Sequence, residues 1–340
     1  MKVTSYIAAL ALLIGAAISI PTHAQDRHFL AVTASNTPTN NLLVYNSSNQ
    51  LIQTLPTGGS GGVAGNSGGI ATSRDRLAVV NFGSENVSIF IRSEEGFRLD
   101  QVIPTVSSPV SVAFGHGHLY VLGSTTVESH QVFDFGVSPG IDGEAALLHA
   151  DGSAAQVGVL YRQLIITEKS NAIETVNLAS DGAVDGSATL VQNIPSNVNV
   201  PFGLVTRDNE AYVTIAHANE ISLVRNDSVV TVTGSGTQSA PCWLALDGPY
   251  LFSANSPSMS VSRYLVYGTQ IIQAEAVAAS FNGKPTDVAY RNGVLGVIDG
   301  AGAVSHLSVF DVDGDGNLTL RGVSTINSPA NGVAIVPTGD

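Results

Sequence analysis

Few side chains in this sequence are equipped to move a proton or polarise a carbonyl, and they are widely scattered. Glu168 and Lys169 are adjacent, His217 lies in an Ala-His-Ala-Asn run, and Asp287 and Asp299 lie further on. A carboxylate or imidazole can act as general base toward water, and an ammonium can polarise a carbonyl. Glu168 or His217 could serve as base, with Lys169 as polarising group. Asn81, Glu85, Asn255, Asp287 and Asp299 add hydrogen-bonding groups, and Phe202 and Trp243 add aromatic walls. That mixture is the equipment of a polar small-molecule pocket. Any one of these residues, taken alone, reads first as an ordinary solvated loop residue. Only a fold that gathers distant loops could make a site of them.

Other motifs weigh less. Gly58-Gly-Ser60-Gly-Gly62 and Gly65-Asn-Ser67-Gly-Gly69 fit the serine-hydrolase pattern. That motif works as a strand–turn–helix elbow, and here a strand-like Ile70-Ala-Thr-Ser follows instead. The same stretch lacks the lysine of a phosphate-binding loop. Asp311-Val-Asp313-Gly-Asp315-Gly316 starts like a calcium loop, but Gly322 occupies the position of the bidentate glutamate. A plain hairpin turn is expected there. His116-Gly-His118 has no third ligand nearby in sequence and reads as a solvated turn. No metal and no cofactor are expected.

The chain has 340 residues, 44% hydrophobic and 12% charged, with a net charge of −13. This excludes a disordered chain, and the glycines lack the three-residue period of collagen. The single cysteine, Cys242, excludes a disulfide scaffold and reads as a small buried hydrophobe. Without a Lys/Arg run, nucleic acid is not an expected partner. Residues 1–24 read as a secretory signal, with Lys2 before an apolar run from Ile7 to Ile18 and Thr22-His23-Ala24 before Gln25. The run is shorter than the ~20 residues of a membrane span. The expectation is a secreted or periplasmic protein without a membrane span, with one domain over residues 25–340.

The positioning elements come from a repeat. Pro109-Val-Ser-Val-Ala-Phe, Pro201-Phe-Gly-Leu-Val-Thr, Pro241-Cys-Trp-Leu-Ala-Leu and Pro285-Thr-Asp-Val-Ala-Tyr each precede a second apolar strand, which starts ten residues after the proline. Ser67-Gly-Gly-Ile and Ala154-Ala-Gln-Val fit the same frame, and a seventh start is at Pro329. The first six starts are 40 to 47 residues apart. Each unit holds four strands, and such sheets bury both faces only when arranged radially. No sustained helical period appears. The fold class is therefore all-β, a seven-bladed β-propeller closed by pairing of the N- and C-terminal strands, with six or eight blades as the alternative. His28-Phe-Leu-Ala-Val and Asn41-Leu-Leu-Val-Tyr supply the strands that the lone C-terminal strand lacks. Asp181-Gly, Asp185-Gly and Asp315-Gly mark hairpins before outer strands, and Gly58 to Gly69 connects blades one and two. A closed ring satisfies its own edges, so a monomer is expected.

In this topology the loops between second and third strands meet the starts of the inner strands at one face, around the axis. The candidate residues named above fall on those loops and starts. Arg74, Arg76, Arg162 and Arg207 fall on the opposite face.

The chain resembles the lactonase-like β-propeller family of the 6-phosphogluconolactonase and carboxymuconate cyclase type. The resemblance covers nearly all of residues 25–340. It rests on Leu77-Ala-Val-Val-Asn-Phe-Gly-Ser-Glu-Asn-Val-Ser-Ile-Phe90, Leu164-Ile-Ile-Thr-Glu-Lys-Ser-Asn-Ala-Ile173, Pro201-Phe-Gly203, Ala240-Pro-Cys-Trp-Leu-Ala245 and Pro285-Thr-Asp287. It implies seven blades and lactone chemistry at an axial pocket. It also implies a Pro-Arg-His phrase at an inner-strand start, which this chain lacks. The expected function is hydrolysis of a lactone or related small cyclic ester. The alternative is a non-catalytic propeller that binds a small molecule or protein partner on the same face.

Overall fold

A computed structural model describes residues 28–195 and 200–338; the signal expected over residues 1–24 lies outside them. Seven antiparallel sheets follow one another along the chain. Blade 2 consists of Ile70–Ser73, Arg76–Asn81, Asn86–Ser93 and Gly96–Pro104, from the inner strand outward. The inner strands of blades 3 to 7 are Pro109–Gly115, Ala154–Val159, Pro201–Arg207, Pro241–Asp247 and Lys284–Arg291. These coincide with the repeated phrases, because a proline at the first residue of a strand withholds no ladder hydrogen bond.

Blade 1 closes the ring. Its inner strand is the C-terminal Asn331–Pro337, and Phe29–Ala34, Asn41–Tyr45 and Leu51–Pro56 complete it. Phe29 pairs with Pro337 and Val32 with Ala334, so both chain ends are held in one sheet. The seven-blade count holds.

Apolar side chains project from both faces of the middle strands and fill the wedges between blades. Leu77 and Val79 of blade 2 pack with Val32 and Val44 of blade 1, and Val213 of blade 5 packs with Ile165 of blade 4. Outermost strands alternate between half-buried and exposed, as in Leu51–Pro56, because they have a neighbour on one side only. Blade 3 departs from the pattern. Its outer edge is split into Gly136–Val137 and Gly143–Ala146, which pair with different ends of Thr126–Phe133. Pro139 lies in the gap, where a residue without an N–H interrupts the ladder.

The acidic run at 311–316 forms the expected turn. Asp313 Oδ1 accepts from the N–H groups of Asp315 and Asn317, and Asp311 pairs with Arg321 at 2.6 Å. Of the two turn histidines only His116 is exposed. His118 is buried, with its ring nitrogens 2.9 Å from the His116 oxygen and from Asp142 Oδ2.

Candidate functional site

Every inner strand of blades 3 to 7 carries a register irregularity near its start, at Pro109/Ser111, Ala154/Gln156, Pro201/Leu204, Pro241/Trp243 and Pro285/Asp287. A bulge re-aims the side chain that follows it. One layer around the axis therefore comprises Ser111, Gln156, Gly203, Trp243 and Asp287.

Three of these residues stitch a blade to the next. Ser111 Oγ accepts from Val157 N–H at 3.3 Å, Gln156 Oε1 from Leu204 N–H at 2.6 Å, and Asp287 Oδ2 from Val333 N–H at 3.2 Å. Asp287 Oδ1 also takes its neighbour Val288 N–H at 2.9 Å. Burial outweighs these bonds and pushes the Asp287 carboxyl up to about 7.

Above this layer the Gly-rich connection crosses the axis. Gly65, in the left-handed region at φ 62°, offers its carbonyl to Lys169 Nζ at 2.7 Å. The Asn66 oxygen accepts from the Trp243 indole at 3.0 Å. Asn66 Nδ2 donates to the Val110 oxygen at 2.6 Å, and its Oδ1 accepts from Asn331 Nδ2 at 2.9 Å. Ser67 N–H donates to the Ala155 oxygen at 3.1 Å. Partners thus come from blades 1, 3, 4 and 6, on opposite sides of the ring. Side chains larger than hydrogen would not fit throughout: a Cβ on Gly61 would lie 2.5 Å from the Asn36 backbone.

Below the layer runs an axial channel of about 300 Å³, lined by residues of all seven inner strands. Apolar side chains such as Ile70, Val112, Val157, Leu244, Val288 and Val333 alternate in its walls with polar groups, Gln156, Thr206 and Asp287 among them, and Ser67 and Gly68 form one end. Inner strands change from buried at their starts to half-exposed at their ends, as in Pro109–Gly115 and Pro201–Arg207. The channel therefore faces solvent where the inner strands end. Arg74 and Arg162 lie in the inner-strand turns of that face and Arg76 and Arg207 beside them, as the topology indicated.

The sequence-nominated residues divide among several places. Lys169 and Trp243 hold the Gly-rich crossing, and Phe202 packs edge-on to Trp243 at 5.3 Å. Asp287 lines the channel at 4% exposure. Glu168 is the last residue of its strand and Lys169 the first of the turn that follows, and the Glu168 side chain has other partners. It is buried, and its Oε1 accepts from His149 N–H at 3.1 Å while Oε2 has no hydrogen-bond partner among the described residues. Glu174, on the facing strand, accepts from Leu148 N–H at 2.9 Å, so the two carboxylates hold consecutive amides of the incoming link. Burial first, with Glu168 adding to it, pushes Glu174 up to about 7.

Asn81 and Asn255 occupy the same kind of seam. Asn81 donates to Asn86 and Ser88 and accepts from Asn40 and Thr57; Asn255 donates to Ser260 and Ser262. Asp299 is buried, 2.9 Å from His306 Nδ1. Glu85 is exposed and accepts from Ser108 at 3.3 Å, and His217 is exposed on a single 3-10 turn, Ala216–Ala218. The structure thus brings Lys169, Trp243 and Phe202 together at the crossing, with Asp287 beneath, and leaves Glu168 and His217 apart from the channel. Sequence reading missed Asn66 and Glu174. Strand pairing would have put Glu174 on the face of Glu168, two residues from its direct partner Ala172.

No protein-family model matches the chain, and no curated protein matches it in sequence. Solved structures do. The periplasmic gluconolactonase of Pseudomonas aeruginosa superposes with a TM-score of 0.68 at 13% identity, covering 91% of this chain and 99% of that one. A candidate 6-phosphogluconolactonase of Bacteroides fragilis gives 0.64 at 14% identity, over 92% and 99%. A streptogramin B lyase gives 0.59 at 15%, over 79% and 87%. At these identities the likeness is one of fold.

Proposed function

We propose that this lactonase-like propeller works in its axial channel, on a small uncharged cyclic ester that enters where the inner strands end. The carrying observation is Asp287, the single ionisable residue among those lining the channel. A stitch between blades needs only an acceptor oxygen, which Ser111 and Gln156 supply elsewhere in the ring. Asp287 adds a proton-transfer group held at about 7, close to the optimum for a general base at neutral pH. It would take the proton of a water attacking the ring carbonyl. Gln156 Nε2–H is the donor available to the developing oxyanion. A lining without Lys or Arg favours an uncharged ester over a sugar phosphate.

A second reading, binding without turnover, has one observation on its side: Asp287 already accepts two backbone N–H groups. Export to the periplasm or beyond belongs to the same proposal. It is supported by the signal-like residues 1–24 and by the periplasmic neighbour.

A pH-stat assay over a lactone panel, run beside a thermal-shift screen, tests the proposal. Hydrolysis should fall at least ~100-fold in Asp287→Asn. It should persist in a Glu168→Ala, His217→Ala double variant. Loss in the double variant alone would return the chemistry to Glu168 and His217. Saturable shifts without hydrolysis would establish the binding reading, and neither signal would end both.

A further inference from the structure

We infer that the face on which the inner strands end carries a second site, centred on His116, that takes a neutral oligosaccharide. Three cavities of about 360, 390 and 480 Å³ adjoin there, and His116 lines all of them. The first is bounded by Arg74, Phe133 and Asp134, the second by Tyr161, Arg162 and Asp181, the third by Tyr161, Asp208 and Asn209. Phe114 is shared with the axial channel on one side and Val159 on the other, so the surface is continuous.

Phe133 lines the first cavity beside His116 and Tyr161 lines the other two, and Phe135 extends the first wall outward by stacking on Phe133. Phe135 is 86% exposed and stacks on Phe133 at 5.0 Å and 3°, and Tyr161 is 73% exposed. The side chains of Arg74, Arg162, Asp134 and Asp208 make no hydrogen bond or ion pair among the described residues. Both signs of charge therefore border the first two hollows, and Asp208 borders the third. An ion of either sign meets a like charge there, whereas a hydroxyl donates to the carboxylates and accepts from the guanidinium groups. His116 carries its hydrogen on Nε2, 2.9 Å from the Leu160 oxygen, which leaves Nδ1 as a further acceptor.

A pyranose matches this arrangement, with an apolar C–H face for a ring and a rim of hydroxyls for planar polar groups. Three adjoining hollows accommodate more than one sugar. The site does not depend on lactone chemistry in the channel.

Calorimetric titration with maltohexaose, cellohexaose and chitohexaose tests the inference. At least one should bind saturably. Tyr161→Ala and Phe135→Ala should each weaken it at least tenfold at unchanged Tm, because both rings are exposed, and lactone turnover should not change. Absence of binding at millimolar concentration would overturn the inference, as would affinity unchanged in both variants. So would sedimentation showing a dimer that Tyr161→Ala and Phe135→Ala abolish, since the rings would then cover a second copy of the chain.

Discussion

Trp243 donates its indole N–H to the main-chain oxygen of Asn66 at 3.0 Å, across 177 residues of sequence. Trp243 begins blade 6, and Asn66 lies on the link between blades 1 and 2. Most contacts in a propeller join neighbouring blades, so this bond acts as a chord across the ring. It closes the axis at the face where the inner strands start.

Trp243→Phe keeps an aromatic ring against Phe202 and removes the donor. The buried Asn66 oxygen then lacks its partner, which costs about 1–3 kcal/mol. Urea unfolding followed by circular dichroism should show a lower midpoint at unchanged slope. A midpoint equal to that of the parent would mean that water replaces the indole.

Lys169 holds the Gly65 and Ala154 oxygens at 2.7 and 3.1 Å, and burial lowers the pKa of its ammonium. Lys169→Met should loosen the crossing without unfolding the blades. Amide exchange over residues 61–69 should accelerate, and emission of Trp243, the single tryptophan of the chain, should move to the red. Exchange that stays slow would show the asparagine bonds to be sufficient.

The pH dependence follows from Asp287. Its carboxyl stands near 7 in the fold and near 3.9 in the unfolded chain. Between these values the folded state binds more protons, so stability falls as pH rises. The contribution is complete below pH ~4, fades up to ~7, and amounts to a few kcal/mol in order of magnitude. Glu174, also near 7, acts in the same sense. Unfolding midpoints should therefore fall from pH 5 to pH 8, less steeply in Asp287→Asn. Equal slopes in parent and variant would assign the effect to Glu174 or another group.

Cys242 donates its thiol to the Ala240 oxygen at 3.2 Å, and burial pushes it up to about 12. Little thiolate exists at pH 8, so iodoacetamide should label the native protein far more slowly than the urea-unfolded chain. Rapid native labelling, read by mass spectrometry, would show that the start of blade 6 opens readily.

Much of this architecture is legible from residue order because each blade has to solve the same local problem. Pro109, Pro201, Pro241 and Pro285 mark inner strands, the pairs Asp181-Gly and Asp315-Gly mark hairpins, and the strands near both chain ends are each incomplete alone. The direction of Glu168 is less accessible. Its burial follows from strand parity together with the docking of Leu148 and His149 from the preceding blade.

Which end of the axis is open could not be read in advance. Seven glycines among residues 58 to 69 impose no period and no preferred backbone shape. Asn36, Thr37 and Ser84 of the adjoining blades hold residues 60–63, whereas residues 65–67 are set by Val110, Ala155, Lys169, Trp243 and Asn331, which become neighbours only when the ring closes. Repeat number, strand order and closure were thus inherent in the chain, since apolar alternation and turn chemistry act locally. The tertiary structure alone closed one face and left the other as the way in, because hydrogen bonds between distant blades, and no local preference, hold the glycine crossing in place.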